Sequence, residues 1–182
     1  MSSFSIKIIS QNWISDTNNE MDLCSHGQFE LKIGNEKILT KDDDLEWTIS
    51  TSTLNLLRCI ESNHLMKENF DLILHCGELG MVSCPIGIYL DLIHDKDEII
   101  IENIVKQYGT SENSIIKYSG LKTRIPKKEF AVIILKIAEE VLSFFEKQPK
   151  RKFFDESDKV LWQNFWIEFN NLYEDGKNKY CC

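Results

Sequence analysis

Ile86-Gly87-Ile88-Tyr89-Leu90-Asp91-Leu92-Ile93 and Glu98-Ile99-Ile100-Ile101-Glu102-Asn103-Ile104-Val105 are two apolar runs separated by the polar turn His94-Asp95-Lys96-Asp97. They read as two strands joined by that short turn, a hairpin of the mainly antiparallel sheet. In the second run Ile99, Ile101 and Val105 face one way, with Ile100 and Ile104 opposite. That pattern predicts a central strand covered on both sides. This hairpin sets the fold class, because the chain before it is mostly strand and the chain after it mostly helix.

Upstream, Phe4 to Ile9 alternates with Phe4, Ile6 and Ile8 on one face. Phe29, Leu31 and Ile33 alternate up to Gly34-Asn35, a turn pair that returns the chain through Lys37-Ile38-Leu39 as a hairpin. After Ser50-Thr51-Ser52-Thr53 the period changes: Leu54, Leu57 and Ile60 recur at helical spacing, with one of the hydroxyl residues expected as N-cap. Phe70 to His75 reads as a further strand.

Downstream, Pro126 suits the first turn of a helix. Phe130, Ile134, Ile137, Val141 and Phe144 then form one apolar stripe, and Pro149 ends it. Asp155 is the expected N-cap of a final helix carrying Trp162, Phe165, Phe169 and Leu172 on one face, with Gly176 as its stop. The expected fold is therefore α+β. A mainly antiparallel sheet comes from the N-terminal two-thirds, one helix follows residue 50, and two C-terminal helices pack on one sheet face. A single domain over residues 1–176 is expected, with 177–182 as a flexible C-terminal tail.

Composition narrows the class of function. The chain has 182 residues, 42% hydrophobic, with 21 basic against 29 acidic side chains and a net charge of −8. Such a chain closes a core and is not wholly disordered. Net acidity disfavours nucleic acid as a partner, since phosphate is repelled unless basic residues cluster. Lys122, Arg124, Lys127 and Lys128, and then Lys147, Lys150, Arg151 and Lys152, flank a helix, where the second group complements the C-terminal dipole. The longest dense apolar stretch, Phe130 to Leu135, is far below the ~20 residues that span a bilayer, so no membrane partner is expected. The N-terminus lacks the pattern of an export signal, so the expected location is cytoplasmic. The six cysteines (Cys24, Cys59, Cys76, Cys84, Cys181 and Cys182) are accordingly expected as thiols, with Cys59 a buried small hydrophobe.

The segment from His75 to Cys84, with Cys76, Gly77, Glu78, Gly80 and Pro85, carries the densest chemistry. Zinc wants nitrogen and sulfur ligands in a tetrahedron, and His75, Cys76, Cys84 and His94 are candidates. Seven residues separate Cys76 from Cys84, unlike a Cys-x-x-Cys knuckle. Adjacent His75 and Cys76 point to opposite faces if the strand continues through them. The zinc-deaminase pattern, the phosphate loop and the Gly-x-Ser-x-Gly elbow are all missing. No metal or other cofactor is therefore expected. A metal-binding or cysteine-dependent enzyme built on this loop stands as the alternative, with His26, His64, His75 or His94 as partner to a thiol. The acidic groups Asp42-Asp43-Asp44 and Asp91, Asp95, Asp97 and Glu98 lack calcium-loop spacing and are ordinary turn residues.

Nine of the 19 aromatics lie between Phe144 and Tyr173. On the last helix Trp162, Trp166 and Tyr173 widen the apolar face beyond one stripe. Together with Glu168 they are the expected contact residues of an acidic, aromatic binding surface. A compact acidic α+β domain of this kind resembles, in composition, small bacterial toxin-neutralising (immunity) proteins. That resemblance implies a non-catalytic module that occludes a basic protein partner; a homodimer is the other partner consistent with such a surface.

Overall fold

The computed structural model describes residues 3–14, 19–68, 71–76, 79 and 84–181. Among them the strands are β1 (Phe4–Asn12), β2 (His26–Ile33), β3 (Glu36–Leu39), β4 (Trp47–Thr48), β5 (Ile73–Leu74), β6 (Gly87–Asp95), β7 (Glu98–Gln107), β8 (Ile115–Lys117) and β9 (Thr123–Pro126). The helices are α1 (Ile49–Arg58), α2 (Lys127–Glu146) and α3 (Glu156–Tyr180). The fold is α+β, all strand pairs are antiparallel, and two helices close the chain.

The strands divide between two sheets rather than forming one. In the first, β2 is central, with β1 along one edge and β3 and β4 sharing the other. In the second, β7 is central, flanked by β6 on one side and by β8 and β9 on the other, with β5 at the edge beyond β6. The division falls at α1. Trp47-Thr48 pairs back onto His26-Gly27, completing the first sheet just before the chain turns helical.

The hairpins predicted around Gly34 and Lys96 are present. Gly34 takes φ +58°, and Lys96 takes φ +53° in the β6–β7 turn. β7 departs from simple alternation. Asn103 sits at φ +57° in a bulge, so the buried side chains after it are Ile104 and Lys106, and Val105 falls on the opposite face. The expected two-sided burial is corrected accordingly: Ile99, Ile101 and Ile104 are buried, while Ile100 and Val105 are only half-buried.

One continuous core joins both sheets to the helices, with Trp47, Phe29, Phe130 and Phe169 among its largest fully buried side chains. α1 touches β2 and β5, and α2 touches β1, β7 and β9, so each helix bridges the two sheets. α3 packs chiefly on α1 and α2. Those two helices already cover the sheets, so the last helix forms an outer layer instead of lying on a sheet face.

The hydroxyl run before Leu54 works differently from the predicted cap. Thr48 occupies the N-cap position without a side-chain capping bond, and its hydroxyl donates instead to His75 O at 3.5 Å. Ser50 Oγ accepts from Ser25 N (3.1 Å), and Ser52 Oγ accepts from Leu74 N (3.0 Å). These buried hydroxyls thus tie α1 to the segment leading into β2 and to β5. Asp155 is the N-cap of α3 as predicted, its carboxylate accepting from Asp158 N at 3.0 Å. The stop expected at Gly176 is absent. α3 continues through it, and Lys179 Nζ and Tyr180 Oη both donate to Glu61, at 2.8 and 2.9 Å. Residues 177–180, expected as tail, are the last turn of that helix. No helix among the described residues is long and apolar enough to cross a membrane.

Candidate functional site

Two places combine unusual chemistry with exposure. The first is the stem of the loop between β5 and β6. β5 is short: Ile73 pairs with Ile88 and Leu74 with Gly87, and His75 N then donates to Ile86 O at 3.3 Å. The strand ends at Leu74, so the opposite-face argument against His75 and Cys76 does not apply. The antiparallel frame carries Cys76 alongside the returning Cys84-Pro85. His75, Cys76 and Cys84 each offer a ligand atom, and these lie within 4.8 Å of one another. Cys84 Sγ is 3.5 Å from His75 Nδ1.

The stem is held from behind. Ser52 Oγ accepts from Leu74 N, Asn55 Nδ2 donates to Asp71 O at 3.3 Å, and Tyr89 Oη donates to Pro85 O at 3.0 Å. The His75 ring stands perpendicular to the buried Trp47 indole, with centroids 6.3 Å apart at 90°. Burial, with His26 nearby, holds the His75 imidazole below its ordinary range and so favours the neutral ring. Burial and the adjacent Cys76 thiol push the Cys84 thiol up. A neutral imidazole and a protonated thiol are the opposite of an activated cysteine, which needs a positive field or a charged partner. Neutral imidazole is, however, the ligand form of histidine.

The other histidines are engaged elsewhere and are not part of the donor cluster. His94 Nε2 is 3.0 Å from Cys59 O, His26 faces Asp22 at 3.4 Å, and His64 forms an isolated bridge with Leu92. Gly77, Glu78 and Gly80 of the loop fall outside the described residues, as does Phe70 of the predicted strand. Four members of the acidic groups are engaged structurally. Asp43 pairs with Lys106, Asp91 accepts from Met66 N and Asn103, and Asp95 and Glu98 share Arg124. The described cysteines form no disulfide with one another. Cys59 is buried, which raises its thiol to about 12, as suits a small core residue.

The second place is the outer side of α3. Of the four residues expected to make contacts there, Trp162 and Trp166 are half-buried and Tyr173 is buried. Their rings run inward. Trp166 lies 4.8 Å from Phe145, 5.4 Å from Trp162 and 5.2 Å from Phe169, and Trp13 extends the cluster onto Phe144 and Phe145. The Trp166 indole N–H finds no acceptor among the described residues. Glu168 makes a two-pronged ion pair with Arg58 of α1, both contacts at 2.7 Å. These side chains therefore couple α3 to α1 and α2.

What α3 shows to solvent is different. Val160 and Ile167 are 45% and 60% exposed and lie seven residues apart, on the helix face opposite Phe169. Leu161 flanks them, and Phe154, just before the helix, is 84% exposed. Residues 155–175 contain six acidic side chains and one basic. The sequence signal for this face was the heptad spacing of Val160 and Ile167, hidden beside the stronger aromatic pattern. Comparison with protein-family models, with curated proteins and with solved structures finds no match for this chain.

Proposed function

We propose that the chain is a non-catalytic protein-binding module that covers a basic partner with the outer face of α3, in the manner of a toxin-neutralising protein. The observation that carries this reading is the set Phe154, Val160 and Ile167, apolar side chains exposed just before and along an acidic helix. Isolated exposed apolar residues are ordinary, but Val160 and Ile167 stand a heptad apart on one face, with Phe154 just before the helix and Glu174 and Asp175 further along it, which offers a dry centre and an acidic rim. The rim selects a partner of opposite sign, and a net charge of −8 steers it during approach. Trp162, Trp166, Tyr173 and Glu168 contribute by holding α3 on α1 and α2, so that the outer face is rigid before contact.

The test compares the tagged wild-type chain with V160E/I167E, both recovered gently from source cells and weighed by native mass spectrometry. The double variant alters solvent-facing positions and leaves the core intact. Support is a basic protein bound to wild type whose affinity falls at least about tenfold, or ~1.4 kcal/mol, in the variant. Equal binding by the two chains, or a wild-type homodimer with no other protein, overturns the reading.

A further inference from the structure

We propose that His75, Cys76 and Cys84 form a zinc site with three protein ligands and one open coordination position. Zinc is held by thiolate at about 2.3 Å and by imidazole at ~2.0–2.1 Å, so tetrahedral donors sit roughly 3.5–3.8 Å apart. The Cys84–His75 pair already meets that spacing at 3.5 Å, and all three donors lie within 4.8 Å. Cys76 is exposed, and a side-chain rotation there covers the remaining shift without disturbing the core. One nitrogen and two sulfurs make a borderline-soft set that suits zinc and not calcium or magnesium.

The surroundings favour a built site over a chance meeting of side chains. His75 is braced by Trp47, Leu74 N is anchored on Ser52, and Pro85, next to Cys84, is anchored on Tyr89. The backbone on both sides of the loop is thus fixed before metal arrives. On coordination each thiol loses its proton to solvent while His75 binds as the neutral ring, so two thiolates balance the charge of the ion. The fourth position is left for water or for a donor from another molecule. This site is independent of the α3 surface and stands or falls separately.

The full chain, reduced with a phosphine and stripped of metal, would be titrated with Co²⁺ and then with Zn²⁺. The expected result is one equivalent of cobalt with tetrahedral d–d bands and thiolate charge-transfer absorption, displaced by zinc. C76S, C84S and H75A should each weaken zinc by more than the roughly 10–100-fold that loss of an outer-shell partner costs. C181S/C182S should bind as wild type does. Thermal melting checks folding, and C76S, at an exposed position, serves as the decisive variant. Absence of the tetrahedral bands overturns the proposal, as do bands unchanged in C76S. A Cys76–Cys84 disulfide in protein trapped with a thiol-blocking reagent at lysis overturns it as well.

Discussion

Glu168 reads as a contact residue because it stands beside Trp162 and Trp166, but its carboxylate is committed to Arg58. The guanidinium holds the Glu168 carboxyl below the usual carboxylate range, and Glu168 in turn raises Arg58. Both side chains are nearly half exposed, so solvent screens the pair and its worth is about 0.2–1 kcal/mol. A depressed carboxyl stabilises the fold above the unfolded-state value and loses that effect as pH falls through the folded value. E168Q should therefore lower stability by that small amount at pH 7 in urea titrations, with the gap to wild type closing in acid. A gap that persists unchanged at low pH would show that the carboxylate's charge is not what matters. Glu168 was legible as important from its neighbours. Its partner was not, because Arg58 lies 110 residues away and the pairing depends on how α1 meets α3.

α3 shows what local pattern reveals and what it hides. Its N-cap and apolar stripe were legible, since Asp155 and the spacing of Phe165 and Phe169 are properties of the segment itself. Gly176 reads as a stop because glycine usually follows a helix. Here it lies instead where α3 crosses its neighbours: an added Cβ would come 3.0 Å from Leu135 Cδ2 and 3.7 Å from Ile60 Cδ1. G176V should destabilise by about 1–3 kcal/mol through overpacking, as read by thermal or urea unfolding. Unchanged stability would return Gly176 to the role of an incidental residue. The same limit applies to β7 and β5. The bulge at Asn103 reverses the phase of Val105, and the early end of β5 at Leu74 brings His75 and Cys76 to the same donor cluster. Both depend on strand register, which composition and periodicity leave open.

The molecule as a whole is two small sheets made one body by helices and by a few polar ties. Strand content and fold class were readable from alternating runs, whereas the division into two sheets was not, because it rests on β4 pairing back across 20 residues of chain. Lys106 is the most telling tie. It rises from β7 of the second sheet, is 8% exposed, and donates to Ile38 O of β3 in the first sheet (3.1 Å) and to Asp43 in the loop that follows β3 (2.7 Å). Removing Asp43 leaves a buried ammonium with one carbonyl, whereas K106M keeps the apolar stem and leaves a carboxylate that still reaches water. D43A should therefore destabilise more than K106M, by roughly 1–3 kcal/mol, in equilibrium unfolding. The reverse order would mean that losing the ammonium's bonds to Ile38 O and Asp43 costs more than leaving the ammonium without its carboxylate.

The central claim, that a partner covers the outer face of α3, is tested most directly by hydroxyl-radical footprinting of the isolated complex against the free chain. Phe154, Val160 and Ile167 should oxidise readily in the free chain and be protected in the complex, while Ile14 and Ile116, exposed elsewhere, keep their rates. Undiminished oxidation of Phe154 and Ile167 in the complex would contradict that claim and place the partner on another surface.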